Sequence, residues 1–305
     1  MASNTQDLMR SIVFPGVHNL PIYAAEAQGF FAQRAIHLEM TYTQSSEQQR
    51  EGIADGTYDL AHSAIDNAIA MADVAGEDVI SFVGLDRGFN QFVTGPGITQ
   101  YEDLRGKILG VNAPDTAFAL IAYELLDRHG LKRDRDYTVK PIGATRFRLE
   151  ALQAGACNFA MLNLPFCLFA SAVGLGQLED PQKAIGGYQA NAGVAQRHWM
   201  KQNTDLLTRY IASFVEGLRW VMAPANKEAA IALLAEGMKI PADIARRCCE
   251  IILDPADGFT KDAKLDREGL AIVLKLRENF TGIVNPKPLD DYLDESYYHA
   301  ALALL

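Results

Sequence analysis

The chain has few cysteines, four in 305 residues, and none of them forms a C-x-x-C pair. That excludes a disulfide-stapled miniature and the common thiolate metal spacings. Cys248 and Cys249 are adjacent, where a bridge would be strained, so these two with Cys157 and Cys167 are expected to be free thiols acting as small hydrophobes, as in a reducing compartment. Positive charge is also short: Lys and Arg number 28 against 38 Asp and Glu, a net charge of −10 with no basic run, which disfavours a nucleic-acid partner. Apolar stretches such as Phe166–Leu175 and Ile231–Ala235 fall below the roughly 18–20 residues that cross a bilayer, so no membrane insertion is expected. The first ten residues lack a basic segment followed by an apolar one, which leaves two expectations: a cytoplasmic chain, or a periplasmic one whose signal has been removed. No G-x-S-x-G, H-E-x-x-H or phosphate-binding loop occurs, and nothing calls for a cofactor or a metal.

What is present is a chain that is 49% hydrophobic and 22% charged, enough for one large or two medium cores. Strand-like and helix-like segments alternate. Ser11–Val17 reads as a strand, Leu20–Gln33 as a helix, and Ile36–Thr43 alternates apolar and polar residues like a half-buried strand. Ser45 and Ser46 before Glu47, Gln48 and Gln49 read as a helix start, and that helix ends near Gly56. Asp59–Ala61, Ala64–Ala75 and Val79–Gly84 continue the pattern as strand, helix and strand. It restarts after Gly95-Pro96-Gly97 with strands at 108–112, 137–142 and 158–162 and helices at 116–129, 145–154 and 165–173. Such alternation predicts an α/β fold with mostly parallel sheets covered by helices.

The two stretches resemble each other. Ile53–Ala61 aligns with Leu152–Ala160, 99 residues on, with helix end, glycine, short linker and strand in the same order. From about Leu206 long amphipathic helices take over (206–221, 227–238, 242–253, 267–279 and 289–302), punctuated by Pro224, Pro241, Pro255 and Pro286. No low-complexity linker precedes them, so they are expected to pack back on a lobe already built.

Tyr23-Ala-Ala-Glu-Ala-Gln-Gly-Phe-Phe followed by Ile36–Met40 resembles the opening helix and second strand of the periplasmic substrate-binding proteins for aliphatic sulfonates, taurine and nitrate. That group also holds the pyrimidine-synthesis protein of thiamine biosynthesis. Ile53–Ala61 is similar to the group's "L-x-x-G-x-x-D" element. Asp103-Leu104-Arg105-Gly106-Lys107 resembles the "D-L-K-G-K" start of its second domain, with Arg105 in place of Lys. The resemblance covers roughly residues 11–220. It implies a two-lobed clamp: residues 1–97 plus 189–305 as lobe 1 with the C-terminal helices, residues 98–188 as lobe 2, and hinge crossings near Thr94–Ile98 and Gly187–Ala192. Ligand would sit between the lobes, beyond the carboxyl ends of the strands.

Residues at those strand ends are the candidates. His18 and Asn19 follow the first strand, where they could orient a polar ligand or merely form a capping turn. Ser45 and Ser46 follow the second, as hydroxyl and backbone N–H donors to an anion or as a plain N-cap. His62 and Ser63 interrupt an apolar stretch at the end of the third strand, and Asp66 reads as a helix cap. Thr116 opens the first helix of lobe 2 in a loop similar to the group's "P-x-G-S/T", with Asp115 where a small residue is usual. Thr145 and Arg146 open the next helix, and Arg146 is the candidate clamp for a carboxylate or sulfonate. Arg87 is a second anion candidate, with Asn90 beside it. Phe89, Phe92, Phe118, Phe147 and Phe166 are expected mostly in the core, with one or two near the cleft.

The expectation is a monomeric solute-binding protein that captures a small anionic organic ligand (carboxylate, sulfonate or aromatic acid) for an ABC-type membrane importer. The alternative is a cytoplasmic enzyme on the same fold, resembling either an aromatic-acid decarboxylase, which requires His18, His62 and Asp66 to converge, or the pyrimidine-biosynthesis protein, whose cysteine-rich segment is not found in this sequence.

Overall fold

A computed structural model describes residues 6–283 and 286–305. Strands β1 (Asp7–Val13), β2 (Ile36–Tyr42), β3 (Leu60–Ala64), β4 (Val79–Gly84), β5 (Asn90–Thr94), β6 (Lys107–Val111), β7 (Tyr137–Pro141), β8 (Phe159–Asn163), β9 (Gly176–Gln177) and β10 (Asn191–Gln196) form two sheets. The first sheet has the order β2-β1-β3-β10-β4 and the second β7-β6-β8-β5-β9. In each, three parallel strands are extended by an antiparallel one. Helices cover both faces, which is why central strands such as Leu60–Ala64 and Phe159–Asn163 are almost wholly buried. The molecule is an α/β two-lobed clamp.

The sheets shift one expected boundary. Residues 90–94 were expected in lobe 1, yet β5 pairs with β8 along its whole length, from Asn90 opposite Asn163 to Thr94 opposite Phe159. The first crossing is therefore residues 85–89, not 94–98. The return crossing runs from Gly186, just after the Pro181–Ile185 helix, into β10. The two crossings are tied side by side. Ala190 N–H donates to Asp86 O at 2.9 Å, and Asn191 Nδ2 donates to both carboxylate oxygens of Asp86 at 2.9 and 3.0 Å. Burial pushes the Asp86 carboxyl up to about 6.

The helix expected over 20–33 is broken after Leu20–Ala27, because Gly29 adopts φ 73°, a left-handed conformation that ends a helix. The Thr204–Met222 helix packs on Leu20–Ala27. Gly217 permits that approach, since a Cβ there would lie 2.3 Å from the Pro21 carbonyl oxygen. The tail does not stay on lobe 1. The Arg267–Thr281 helix also packs on Ala117–Arg128 of lobe 2, with Phe280 and Tyr123 rings edge to face at 5.8 Å. At its centre Arg277, 1% exposed, donates to Asp66 Oδ1 at 2.7 Å and to the Asp115 carbonyl of lobe 2 at 3.2 Å.

Candidate functional site

Between the lobes lies a cleft of about 930 Å³, counting its mouth. Lobe 1 contributes Phe14–Pro15 and Val17–His18 after β1, Thr43, Gln44 and Ser46 after β2, and Ala64 and Asn67 after β3. Lobe 2 contributes Asn112 and Thr116–Phe118 after β6, Ala144–Arg146 and Arg148 after β7, and Asn163, Leu164 and Phe166 after β8. Phe89 and Asn191 come from the crossings. The parallel strands β1, β2, β3, β6, β7 and β8 feed the cleft from their carboxyl ends, where the chain turns toward a helix, whereas the antiparallel β10 meets it at its first residue, Asn191. The lobes meet at its rim: Ala144 N–H donates to Gln44 O at 3.3 Å, and Arg50 pairs with Asp115 at 3.3 Å.

The cleft carries positive charge and, among the described residues, no carboxylate side chain in its lining. Arg146 is exposed at the opening, its guanidinium 4.4 Å from the centre of the Phe147 ring. Arg148 lies behind it, 2% exposed, donating to Met161 O at 3.2 Å, Gly143 O at 2.7 Å and Thr145 Oγ1 at 2.9 Å. Burial lowers its pKa to about 10, so it stays cationic at neutral pH. Because Thr145 Oγ1 accepts from Arg148, its own O–H remains available as a donor. No side chain caps the helices Ala117–Arg128 and Thr145–Gln153, and Thr116 Oγ1 instead donates to Ala113 O at 2.8 Å. Two helix N-termini thus add partial positive charge to that of Arg146.

Lobe 1 supplies neutral acceptors. His18 Nε2 lies 3.0 Å from Phe14 O and so carries the proton, leaving Nδ1 as an acceptor. Burial lowers its pKa to about 4, so the ring is neutral at pH 7. Gly16 makes room for it: a Cβ would sit 2.4 Å from His18 Cε1. Asn67 donates to Ser63 Oγ at 2.9 Å and Ser46 Oγ at 3.4 Å, while its Oδ1, like Asn163 Oδ1 opposite, has no partner among the described residues.

Of the residues expected at the site, His18, Thr116, Thr145 and Arg146 line the cleft together. The others are held elsewhere. Asn19 is buried with Nδ2 donating to Phe14 O at 2.8 Å. Ser45 caps its helix, accepting from Gln48 N–H at 3.1 Å, and its neighbour Ser46 takes the cleft position. His62 lies deep in lobe 1, with Nε2 2.9 Å from Tyr210 Oη and its ring 4.6 Å from that of Phe214. Ser63 hydrogen-bonds Gln49 Oε1. Arg87 faces solvent and pairs with Asp266 at 3.5 Å. Asn90, 8% exposed, begins β5 outside the lining. Asp66 is committed to Arg277, so His18, His62 and Asp66 do not converge on one point in the cleft. Phe89, Phe118 and Phe166 line the cleft and Phe92 is core.

Sequence reasoning missed Arg148, Asn67, Asn112 and Asn163. The 99-residue offset, which carries Ser46 onto Thr145, also carries Gln49 onto Arg148 and could have found it.

The family model described as NMT1/THI5 like matches residues 17–228. No curated protein matches the chain in sequence. Among solved structures, a Bordetella bronchiseptica protein is similar with a TM-score of 0.84 at 18% identity, covering 98% of both chains. The periplasmic nitrate-binding protein NrtA of Synechocystis is similar with a TM-score of 0.82 at 14% identity, covering 98% of this chain and 89% of that one. The periplasmic aliphatic sulphonate binding protein SsuA of Escherichia coli follows with 0.74 at 17% identity, covering 94% and 92%.

Proposed function

The chain belongs to the NMT1/THI5-like family, and from that premise we propose that it is a solute-binding protein that closes around a small organic anion and delivers it to an ABC-type importer, in the periplasm when the chain is exported. The observation that carries this is the charge of the cleft: Arg146, Arg148 and two uncapped helix N-termini converge on a cavity with no lining carboxylate among the described residues. The whole chain has a net charge of −10, so its overall field repels an anion and these local donors must hold it. Four phenylalanines in the lining, Phe14, Phe89, Phe118 and Phe166, favour a carboxylate or sulfonate that bears an apolar or ring portion. Asn67 Oδ1, Asn163 Oδ1 and His18 Nδ1 additionally offer acceptors for an N–H or O–H of the ligand. That the nitrate- and sulphonate-binding proteins share the fold supports the same class of solute.

Thermal-shift screening against small carboxylates, sulfonates and aromatic acids tests the reading. A true ligand at 100 times its dissociation constant stabilises the fold by about 2.7 kcal/mol. Arg146→Ala should weaken binding of the hit by roughly 2–5 kcal/mol if the pair is desolvated in the closed cleft, with little change in the unliganded fold. Unchanged affinity removes Arg146 from the site. Turnover of the hit, seen as product by mass spectrometry, replaces the binding reading with an enzymatic one.

A further inference from the structure

A second cavity, about 920 Å³ with its mouth, adjoins the cleft. Pro15 of lobe 1 and Phe166 of lobe 2 line both, so the two spaces are neighbours that share one wall residue from each lobe. Their chemistry differs sharply. The cleft is ringed by amides and hydroxyls, whereas the lining of the second cavity holds, among the described residues, no amide and no carboxylate side chain, and its one charged residue is the exposed Lys239. Its only hydroxyls belong to Tyr23 and Tyr42, and these hydrogen-bond each other at 2.6 Å. That bond uses one O–H hydrogen and leaves the other free to donate, while the rings themselves offer carbon to the cavity. Burial raises both phenols above their usual range, so neither ionises near neutral pH. Phe169, Met238 and Ile240 continue the apolar wall, and Gly237 lets the Tyr23 ring lie flat against the chain, since a Cβ there would be 2.6 Å from Tyr23 Cε2.

We propose that this cavity is an extension of the ligand site, taking the distal aromatic ring of an elongated aryl acid whose acidic group sits beside Arg146. This rests on the reading of the cleft as an anion site. The occupant is assigned to the same ligand because Pro15 and Phe166 wall both cavities, and to a ring because flat aromatic walls favour edge and offset-stacked contacts over a flexible chain. Both lobes contribute wall residues, so a ligand that reaches from one cavity into the other ties closure to its apolar end as well as to its charge.

Calorimetry with benzoate and biphenyl-4-carboxylate on the wild-type protein, Arg146→Ala and Met238→Trp tests this. Met238→Trp is chosen to fill the second cavity, and Ile240→Trp replaces it if that variant fails to fold. The expected result is about tenfold or greater preference for biphenyl-4-carboxylate over benzoate, a ratio near one in the filled variant, and loss of affinity for both acids in Arg146→Ala. Equal affinities in the wild type, or a preference that survives filling, overturns the extension and leaves the anion reading standing. Biphenyl-4-carboxylate binding that is lost on filling but indifferent to Arg146 keeps the second cavity as a ring site and overturns the anion reading. Binding of neither acid overturns both.

Discussion

The two lobes are one unit built twice from different residues. In lobe 1 the Ser46–Ala54 helix ends at Gly56 (φ 75°) and leads to β3; in lobe 2 the Thr145–Gln153 helix ends at Gly155 (φ 69°) and leads to β8, each strand third in its parallel set. The linker residues do the same job. Asp59 Oδ2 accepts from Arg10 N–H at 2.7 Å and Asn158 Oδ1 accepts from Ile108 N–H at 3.0 Å, each tethering the neighbouring strand. One turn into each helix a buried polar side chain grips the third strand. Gln49 Nε2 donates to His62 O at 3.2 Å, and Arg148 Nε donates to Met161 O at 3.2 Å. The difference at that position is one of charge. A neutral amide leaves the lobe 1 wall uncharged, whereas a buried cation at the matching point makes lobe 2 the electropositive side of the cleft.

The strongest way to break the comparison is to cut what joins the lobes. Arg277 and Asp66 are each 1% exposed, and Arg277 also reaches the Asp115 carbonyl of lobe 2. Arg277→Met should cost about 3–5 kcal/mol, because it leaves a buried carboxylate without its cation. Adding Asp66→Asn should recover part of that loss. Urea unfolding measures both, and a loss below about 1 kcal/mol for Arg277→Met would mean that the strap contributes nothing beyond packing.

Acid should separate the lobes next. His18 and His62, both buried in lobe 1, have pKa values lowered to about 4 and about 3, while an unfolded chain protonates them near 6.5. Between those values the unfolded state binds more protons, so stability is intact at pH 7 and falls as pH drops from 6.5 to 4, by roughly 3 kcal/mol per ring. Asp86, raised to about 6, acts in the opposite sense over the same range and offsets part of this. The one histidine of lobe 2, His129, is 43% exposed at its side chain. Amide exchange at pH 4.5 should therefore show the first sheet losing protection before the second. Equal losses in both sheets would refute the assignment of acid sensitivity to lobe 1.

The alternation of strand and helix, the repeat at 99 residues and the strand-end positions of His18, Thr116, Thr145 and Arg146 were all legible in the sequence, because each rests on local periodicity, a cap or a helix-ending glycine. Three features were not. The register of β5 with β8 is a non-local pairing, and residues 90–94 carry no mark of which sheet they join. His62 interrupts an apolar stretch as a ligand-binding residue would, but its partner Tyr210 is 148 positions away. Arg277 sits on a tail helix whose apolar pattern predicts packing without naming its partner, and Asp66 is 211 positions distant.

Putting the lobe 1 residue into lobe 2 sharpens the comparison. Gln at position 148 can reach the Met161 carbonyl but cannot also serve Gly143 O and Thr145 Oγ1, so Arg148→Gln should cost about 1–3 kcal/mol of stability. It should also weaken anion binding about tenfold, because the cation is gone and the Thr145 hydroxyl loses the donor that fixes its orientation. Calorimetry with benzoate on the folded variant checks the second effect. Retained affinity would assign the charge selectivity to Arg146 and the helix N-termini alone.

The smallest effect comes from the reverse exchange, Asp59→Asn, which puts the lobe 2 tether into lobe 1. Asp59 makes two kinds of contact: its Oδ2 holds the Arg10 N–H at 2.7 Å, and its Oδ1 meets the Arg10 guanidinium at 2.9 Å. The Arg10 side chain is 43% exposed, so solvent screens the charge pair, and such pairs contribute about 0–1 kcal/mol. Asparagine keeps the acceptor for the backbone N–H, as Asn158 does, and loses only the charge. The cost should stay below about 1 kcal/mol, whereas Asp59→Ala leaves a strand N–H without its acceptor and should cost about 1–3 kcal/mol. Urea midpoints for the two variants decide between charge and tether. If Asn is as damaging as Ala, the ion pair rather than the hydrogen bond holds β3 beside β1, and the two linkers are alike in position but not in what they do.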